Sequence, residues 1–534
     1  MTALAGYRPA VLRNVLTAGA IALLTILSFV WFPGHTILQS DTQIYIPILE
    51  HIENPGVLTA DPMAVRPHVA FTIYDEVTLG LRALTGFGFE GLLQTQQLIF
   101  RGLGILGLFL LARAAGLSVL MSLAAAALVS LGATVNGPAV LTVEYEPVPR
   151  GFALPLVLLA IGLLASGRSN LASAAAALAV AFHPPTAVPV WLILAGIAAW
   201  KRQWRDIGIL ATGPVLLVLS AIGQPVSPEH PGLFTRIDPA LESIQRMRTS
   251  YNWVDTWIGR YWLHYSLLFA ASMAGAWRLW HTLPHRVRWF FVALPVIGCF
   301  SVPASWLLLE RMKWIVTPQY QPGRYIVFVT LFAALSCSIA GLRAAGARRR
   351  LEAALFLFLP FAIPLEPDLL QLSGTRLLLA VGLTIAAALA ERGELSLIVA
   401  LLAFALCPTA GRVENFTRVM TPELDNLIEW ARASTPPDSV FQFADVRRGL
   451  EPGVLRSRAQ RAIYADWKAG GQVNFMPSFA RIWADRWKQV ERPQSLLRYR
   501  ELGIDFVVFR SGKAPKNAKP VFRNAAWTVF RTGH

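Results

Sequence analysis

Long apolar blocks alternate with short polar hinges from about residue 11 to residue 410, and beyond that the alternation stops. The blocks lie near 11–32, 91–113, 117–134, 151–167, 171–183, 184–200, 207–223, 261–280, 287–308, 324–343, 351–365, 370–390 and 394–410. A bilayer-crossing helix needs about 20 apolar residues, so the pattern predicts about 13 spans. The count is 11 to 14 depending on how soft boundaries such as Pro184 and Pro185 divide the chain. The first block ends in Trp31-Phe32-Pro33 with no small-residue cleavage site, which reads as an uncleaved anchor. After residue 420 the period changes. TPELDNLIEWARAST reads as an amphipathic helix capped by Thr421. SFARIWADRWKQV and PQSLLRYRELG are also helical, while SVFQF, AIYADW, IDFVVF and AWTVF are β-rich. The expected fold is an α-helical polytopic membrane protein: a transmembrane domain over 1–410, with an acidic first external loop at 33–90, then a small extracytoplasmic α/β domain over 411–534.

Composition agrees with that outline. Of the 534 residues 54% are hydrophobic and only 15% charged, against about 25% charged in soluble proteins. Basic residues set the orientation. With the amino terminus inside, internal loops hold Arg113, Arg168, Lys201, Arg202, Arg205, Arg278, Arg286 and the run Arg348–Arg350, with few acids. An odd number of spans then leaves the terminal domain outside. The net charge is +16, about nine units of it in the terminal domain. A basic surface in that place fits membrane lipids, lipid phosphates or acidic glycans and excludes nucleic acid as a partner. Cys299, Cys337 and Cys407 all fall inside spans, so no disulfide framework or cysteine metal site is expected.

Polar residues gather on the outer face. The first loop, HTILQSDTQIYIPILEHIENPGVLTADPM, offers Asp41, Tyr45, Glu50, His51 and Asp61, followed by Arg66, His68 and Asp75. Asp41, Tyr45 and Glu50 are spaced to share a helical face, with Ile44, Ile46, Ile48 and Leu49 opposite, a pattern that suits a helix lying on the membrane surface. In VEYEPVPRGFAL, Glu144 and Glu146 point the same way if the segment is extended, which allows one shared cation. Arg150 suits a phosphate or an ion pair with Glu146. His183 precedes two prolines at a helix break. Arg311, Lys313, Gln321 and Arg324 form a basic cluster that can receive a lipid phosphate or anchor the interface. Gln94, Gln97 and Arg101 line one helical face; Arg101 at mid-membrane costs roughly 2.5–3.5 kcal/mol if lipid-facing and should turn inward. Arg456, Arg458, Arg461, Asp466 and Lys468 surround aromatics in the terminal domain, a composition that suits either sugar binding or plain packing.

SDTQIYIPIL in the first loop, VEYEPVPRGFAL, HPPT and QPGRYIVF together resemble the layout of the GT-C superfamily of membrane glycosyltransferases. Unlike members with a D-x-D pair in the first loop, Asp41 stands alone. The resemblance implies a polyprenyl-phosphate-linked sugar donor, a glycan, lipid or protein acceptor, and inversion at the anomeric carbon. It assigns Asp41 as general base and Arg324 and Arg150, then His183, as cations for the leaving phosphate. Glu144 and Glu146 would orient the acceptor, or with Asp41 hold a divalent cation such as Mg or Mn. Tyr45, Arg101, Gln321, Arg458 and Lys468 complete the substrate-binding set. Two other classes fit the same residues: a lipid-linked glycan polymerase or ligase, and a transporter or assembly scaffold. A transporter would show charges through the membrane and paired halves; only Arg101 lies at mid-membrane and no repeat is visible.

Overall fold

The computed structural model describes residues 2–65, 72–223, 232 and 234–533, with side chains from Leu12 onward; Arg66 and His68 lie outside the described residues. A helix stands at every predicted span, beginning with α1 (Thr2–Val30) and ending with Gly393–Thr409. Among the described residues five helices are long and apolar enough to cross a membrane: Leu12–Val30, Phe89–Ala114, Trp204–Ile222, Phe290–Arg311 and Thr317–Gly346. Six more are apolar and shorter, among them Pro149–Ala165, Ser169–Phe182 and Pro184–Trp200.

Burial sorts these helices into centre and rim. Val327–Leu342 is buried at every position, whereas Trp204–Gly223 leaves Val215, Leu216, Val218, Leu219 and Ile222 bare. Such a stripe is unstable in water and at home in lipid. At the centre, small residues let backbones touch. Gly107 and Gly162 meet where Phe89–Ala114 crosses Pro149–Ala165, and a Cβ on Gly107 would stand 2.4 Å from the Leu158 backbone. Close approach of this kind replaces the hydrophobic drive that lipid removes between helices.

Two features position the site. His183 ends Ser169–Phe182 because a residue before proline disfavours the helical region, and Pro184 and Pro185 then open the next helix, where proline's missing N–H costs nothing. A short ribbon pairs β1 (Thr134–Val135) with β2 (Val140–Leu141) just before the Glu144–Arg150 segment.

Residues past 420 form a five-stranded sheet in the order β4-β3-β5-β7-β6. β3 (Val440–Phe443) runs parallel to β4 (Ala462–Ile463) and to β5 (Phe506–Arg510), and β7 (Trp527–Arg531) is antiparallel to β5 and to β6 (Phe522–Arg523). Thr421 accepts the Leu424 amide and caps Pro422–Ser434.

The first-loop helix α2 (Thr42–Glu53) corrects the expectation of a helix lying on the bilayer. Ile44 and Ile48 bury in one cluster with Val473, Phe479 and Trp483 of the terminal domain. Ile46 and Leu49 face the other way, into the main core. The apolar residues thus serve two faces, and α2 is clasped between the helical bundle and the terminal domain.

Candidate active site

A cavity of about 660 Å³ opens beneath the terminal domain. Asp41, Tyr45, Arg150, His183, Gln321, Arg324 and Lys468 all line it, although they are spread over more than 400 positions of sequence. Asp41 sits at its centre, at the start of α2. One carboxylate oxygen accepts from Lys468 Nζ at 2.5 Å and the other from Arg150 Nη1 at 2.8 Å. Burial pushes the Asp41 carboxyl up, but the Lys468 ammonium and Arg150 guanidinium outweigh it and hold the group well below the usual carboxylate range. Tyr45, one turn along, is pushed the opposite way by burial and by the Asp41 charge, so its phenol stays protonated.

Behind Arg150 stands Glu144, which receives its Nε at 2.7 Å. Glu146 does something else. Its carboxylate accepts the backbone amides of Gln39 at 2.7 Å, Ser40 at 2.6 Å and Thr42 at 3.0 Å, which fastens the entry to α2. The segment is not extended, so the two glutamates part and the expected shared cation site is not formed. A carboxylate at a helix start complements the free amides there. Glu146→Ala strands three amides at roughly 1–3 kcal/mol for each left unsatisfied; the expected result is a clear fall in thermal stability of the purified protein, whereas Glu146→Gln, which retains one acceptor oxygen, falls less.

Each of the three carboxylates expected at a metal is therefore committed to guanidinium, ammonium or amide groups. Among the described residues no cluster of three His, Cys, Asp or Glu side chains could hold a metal ion. The donor set does not fit a bound divalent cation, and no step is assigned to one.

Arg101 faces inward as expected but does not reach the cavity. It donates to the carbonyls of Ser28 at 2.7 Å, Gly34 at 2.9 Å and Glu144 at 2.6 Å, and so buckles the first loop to the second. Arg458 is likewise away from the cavity, bridging Glu90 and Asp425. Glu50 pairs with Gln460, and Asp75 is buried beside Glu76, burial pushing its carboxyl up to about 7.

Arg324 differs from every other cation in the cavity. It follows Gln321, whose φ of +54° lies in the left-handed region and turns the chain inward. Its guanidinium stands 5.5 Å from the ring centre of Tyr251, and its buried Nε has no hydrogen-bond partner. No described carboxylate pairs with it. Arg248, Tyr251 and Asn415 also line the cavity and were not picked out in the sequence. Arg248 donates to the Trp467 carbonyl at 2.6 Å and holds the turn that carries Lys468. The run RMRTSYNW mixes bases and aromatics much as residues 311–324 do, and that was the available signal.

The cavity is positive. Among the described residues Arg150, Lys468, Arg248 and Arg324 line it against the single lining carboxylate of Asp41, with Glu144 behind. The lining also includes the apolar residues Pro184, Pro185, Val316 and Leu217, and Leu217 belongs to the rim helix whose Leu216 and Val218 face outward.

The sequence matches no family model and no curated protein. Two solved structures share the layout over nearly the whole of this chain. ArnT from Cupriavidus metallidurans is 13% identical with a TM-score of 0.43, over 98% of each chain. The arabinofuranosyltransferase AftD from Mycobacteria is 15% identical with a TM-score of 0.44 over 98% of this chain, which spans 40% of AftD's length. At this distance the chain is similar to them in overall course alone.

Proposed function

We propose that this protein is a membrane glycosyltransferase of the GT-C kind, which moves a sugar from a polyprenyl-phosphate donor to an envelope glycan, lipid or protein on the outer face of a bacterial inner membrane. The observation that carries the reading is Arg324: a half-buried guanidinium whose enclosed Nε has no hydrogen-bond partner and which no described carboxylate pairs, in a cavity where the one carboxylate among the described lining residues is already matched by two cations. Leaving a buried charge unpaired is costly, and an arriving phosphate would pay that cost back. The apolar part of the lining, with Leu217 on a helix whose neighbouring side chains are exposed, suits a phosphate that arrives on a lipid chain.

The chemistry then follows from the geometry. The phosphate enters among Arg324, Arg248, Lys468 and Arg150, which stabilise the charge that grows on it as the anomeric bond breaks. As Lys468 and Arg150 turn toward phosphate oxygens, their hold on Asp41 loosens, and its carboxylate becomes free to take the proton of the acceptor hydroxyl. That oxygen bonds to the anomeric carbon as the phosphate departs with the bonding electrons. A single displacement inverts the configuration. His183, whose Nδ1 meets Thr186 Oγ1 at 2.8 Å, and Gln321 contribute polar contacts at the cavity wall.

The test is transfer of label from a panel of polyprenyl-phosphate sugars to a cell-envelope extract, with protein reconstituted in lipid. Label transfer by the wild-type protein supports the reading. Bound polyprenyl phosphate with no transfer from any donor would replace it with a carrier or scaffold.

A further inference from the structure

The cavity is closed on one side by the terminal domain, and Lys468, Gly471, Gln472 and Phe475 are its contribution to the wall. Lys468 lies 427 positions from Asp41 in sequence and 2.5 Å from it in space. That contact ties the terminal domain to the first loop at the cavity. A flexible lysine stem does not fix such a contact by itself.

Twelve positions upstream of Lys468, a buried cation joins the same two parts of the chain. Arg456 is 1% exposed and lies between two carboxylates, Asp61 of the first loop at 0% and Asp466 of the terminal domain at 2%. Its Nε reaches Asp61 Oδ2 at 2.6 Å, and its Nη2 pairs with Asp466. Both carboxylates are further tied. Asp61 accepts the amides of Met63 at 3.0 Å, Ala64 at 3.2 Å and, across the boundary, Ile463 at 3.1 Å. Asp466 accepts the Ala469 amide at 3.0 Å, closing the turn that carries Lys468, and its carbonyl receives Trp483 Nε1 at 2.8 Å. The chain of contact runs from the first loop through Arg456 to Asp466, and from there to the turn bearing Lys468.

We infer that Arg456, through its fork between Asp61 and Asp466, is a positioning residue that sets Lys468 against Asp41 across the domain boundary. Its catalytic meaning rests on the glycosyltransferase reading; its geometry does not. Only a guanidinium spans the two carboxylates with separate nitrogens, and a lysine ammonium at the same place cannot hold both in this arrangement.

The test needs no donor. Amine-reactive footprinting of the full chain in detergent, read by mass spectrometry at each lysine, reports how firmly Lys468 is held. Arg456→Lys is expected to raise Lys468 labelling by about tenfold, the scale of one lost charge-assisted hydrogen bond, with the other native lysines unchanged. Asp61→Asn, which cuts the tie to the first loop and leaves the Asp466 turn intact, is expected to move labelling the same way. Unchanged Lys468 labelling in both variants overturns the inference. So does a rise at all lysines together, or loss of folded protein in both variants, since either marks a general structural role.

A second readout joins the inference to the site. With undecaprenyl phosphate as probe in nanodiscs, Arg456→Lys should weaken binding in the wild-type background and add nothing to Lys468→Met, because residues acting through one group are not additive. Additive losses would overturn it. A probe that fails to bind the wild-type protein counts against the glycosyltransferase reading instead, and the footprint still decides the role of Arg456.

Discussion

Asp41→Asn is expected to lower sugar transfer by about 10²- to 10⁴-fold, the range that a positioned general base supplies, without raising the donor concentration needed for half-maximal rate. The split follows from the charges. Among the described residues Asp41 is the only carboxylate lining a cavity that also holds four cations, and removing it leaves the site more positive. The donor's phosphate should therefore bind at least as well, while the acceptor hydroxyl loses its proton acceptor. Arg150 retains Glu144 at 2.7 Å and Lys468 retains Ser40 Oγ at 2.9 Å, so neither cation is stranded and the variant should fold. Steady-state kinetics with donor varied at saturating acceptor give the answer. A fall in rate matched by a rise in donor requirement would make Asp41 a binding residue and move the base elsewhere.

Arg324→Met should do the reverse. Losing one charge-assisted hydrogen bond costs about 1.5–3 kcal/mol, so donor affinity is expected to drop by about 10- to 100-fold. Thermal stability should hold or rise, because the guanidinium has no described carboxylate partner to orphan and its enclosed Nε has no hydrogen bond to lose. Arg324→Lys restores the charge without the fork and should fall between the two. Equal donor affinity in wild-type and Met variants, measured by binding in nanodiscs, would show that the phosphate sits away from Arg324. A large loss of stability in the Met variant would show that a protein group depends on it.

Much of the fold could be read directly from the sequence, because a bilayer leaves few choices. A helix occupies each apolar block, and His183-Pro184-Pro185 breaks the chain where it must. The strands and the Thr421 cap of the terminal domain also follow local rules. What could not be read was partnership. Ile44 and Ile48 carry the same apolar signal whether lipid or a second domain covers them, and here it is the domain. Glu144 and Glu146 differ by two positions, yet one steadies Arg150 and the other clasps the start of α2. That division depends on a bend in the backbone, which two glutamates do not announce. Arg101 and Arg456 illustrate the same limit. Both are buried arginines, and each joins segments far apart in sequence, so neither role has a local signature. Arg248 and Tyr251 were overlooked because they sit in a stretch with no span and no known motif. By contrast Asp41, Tyr45, Arg150, His183, Gln321, Arg324 and Lys468 were selected from five separate stretches, and the fold gathers them into one cavity.

The most direct measurement is a cryo-EM structure of the full chain in nanodiscs saturated with undecaprenyl phosphate. The account predicts phosphate density in the cavity, within hydrogen-bond distance of Arg324, with the lipid chain leaving past Leu217 and Lys468 drawn toward the phosphate. Phosphate density anywhere else on the protein, or a cavity that stays empty at saturation, would contradict it.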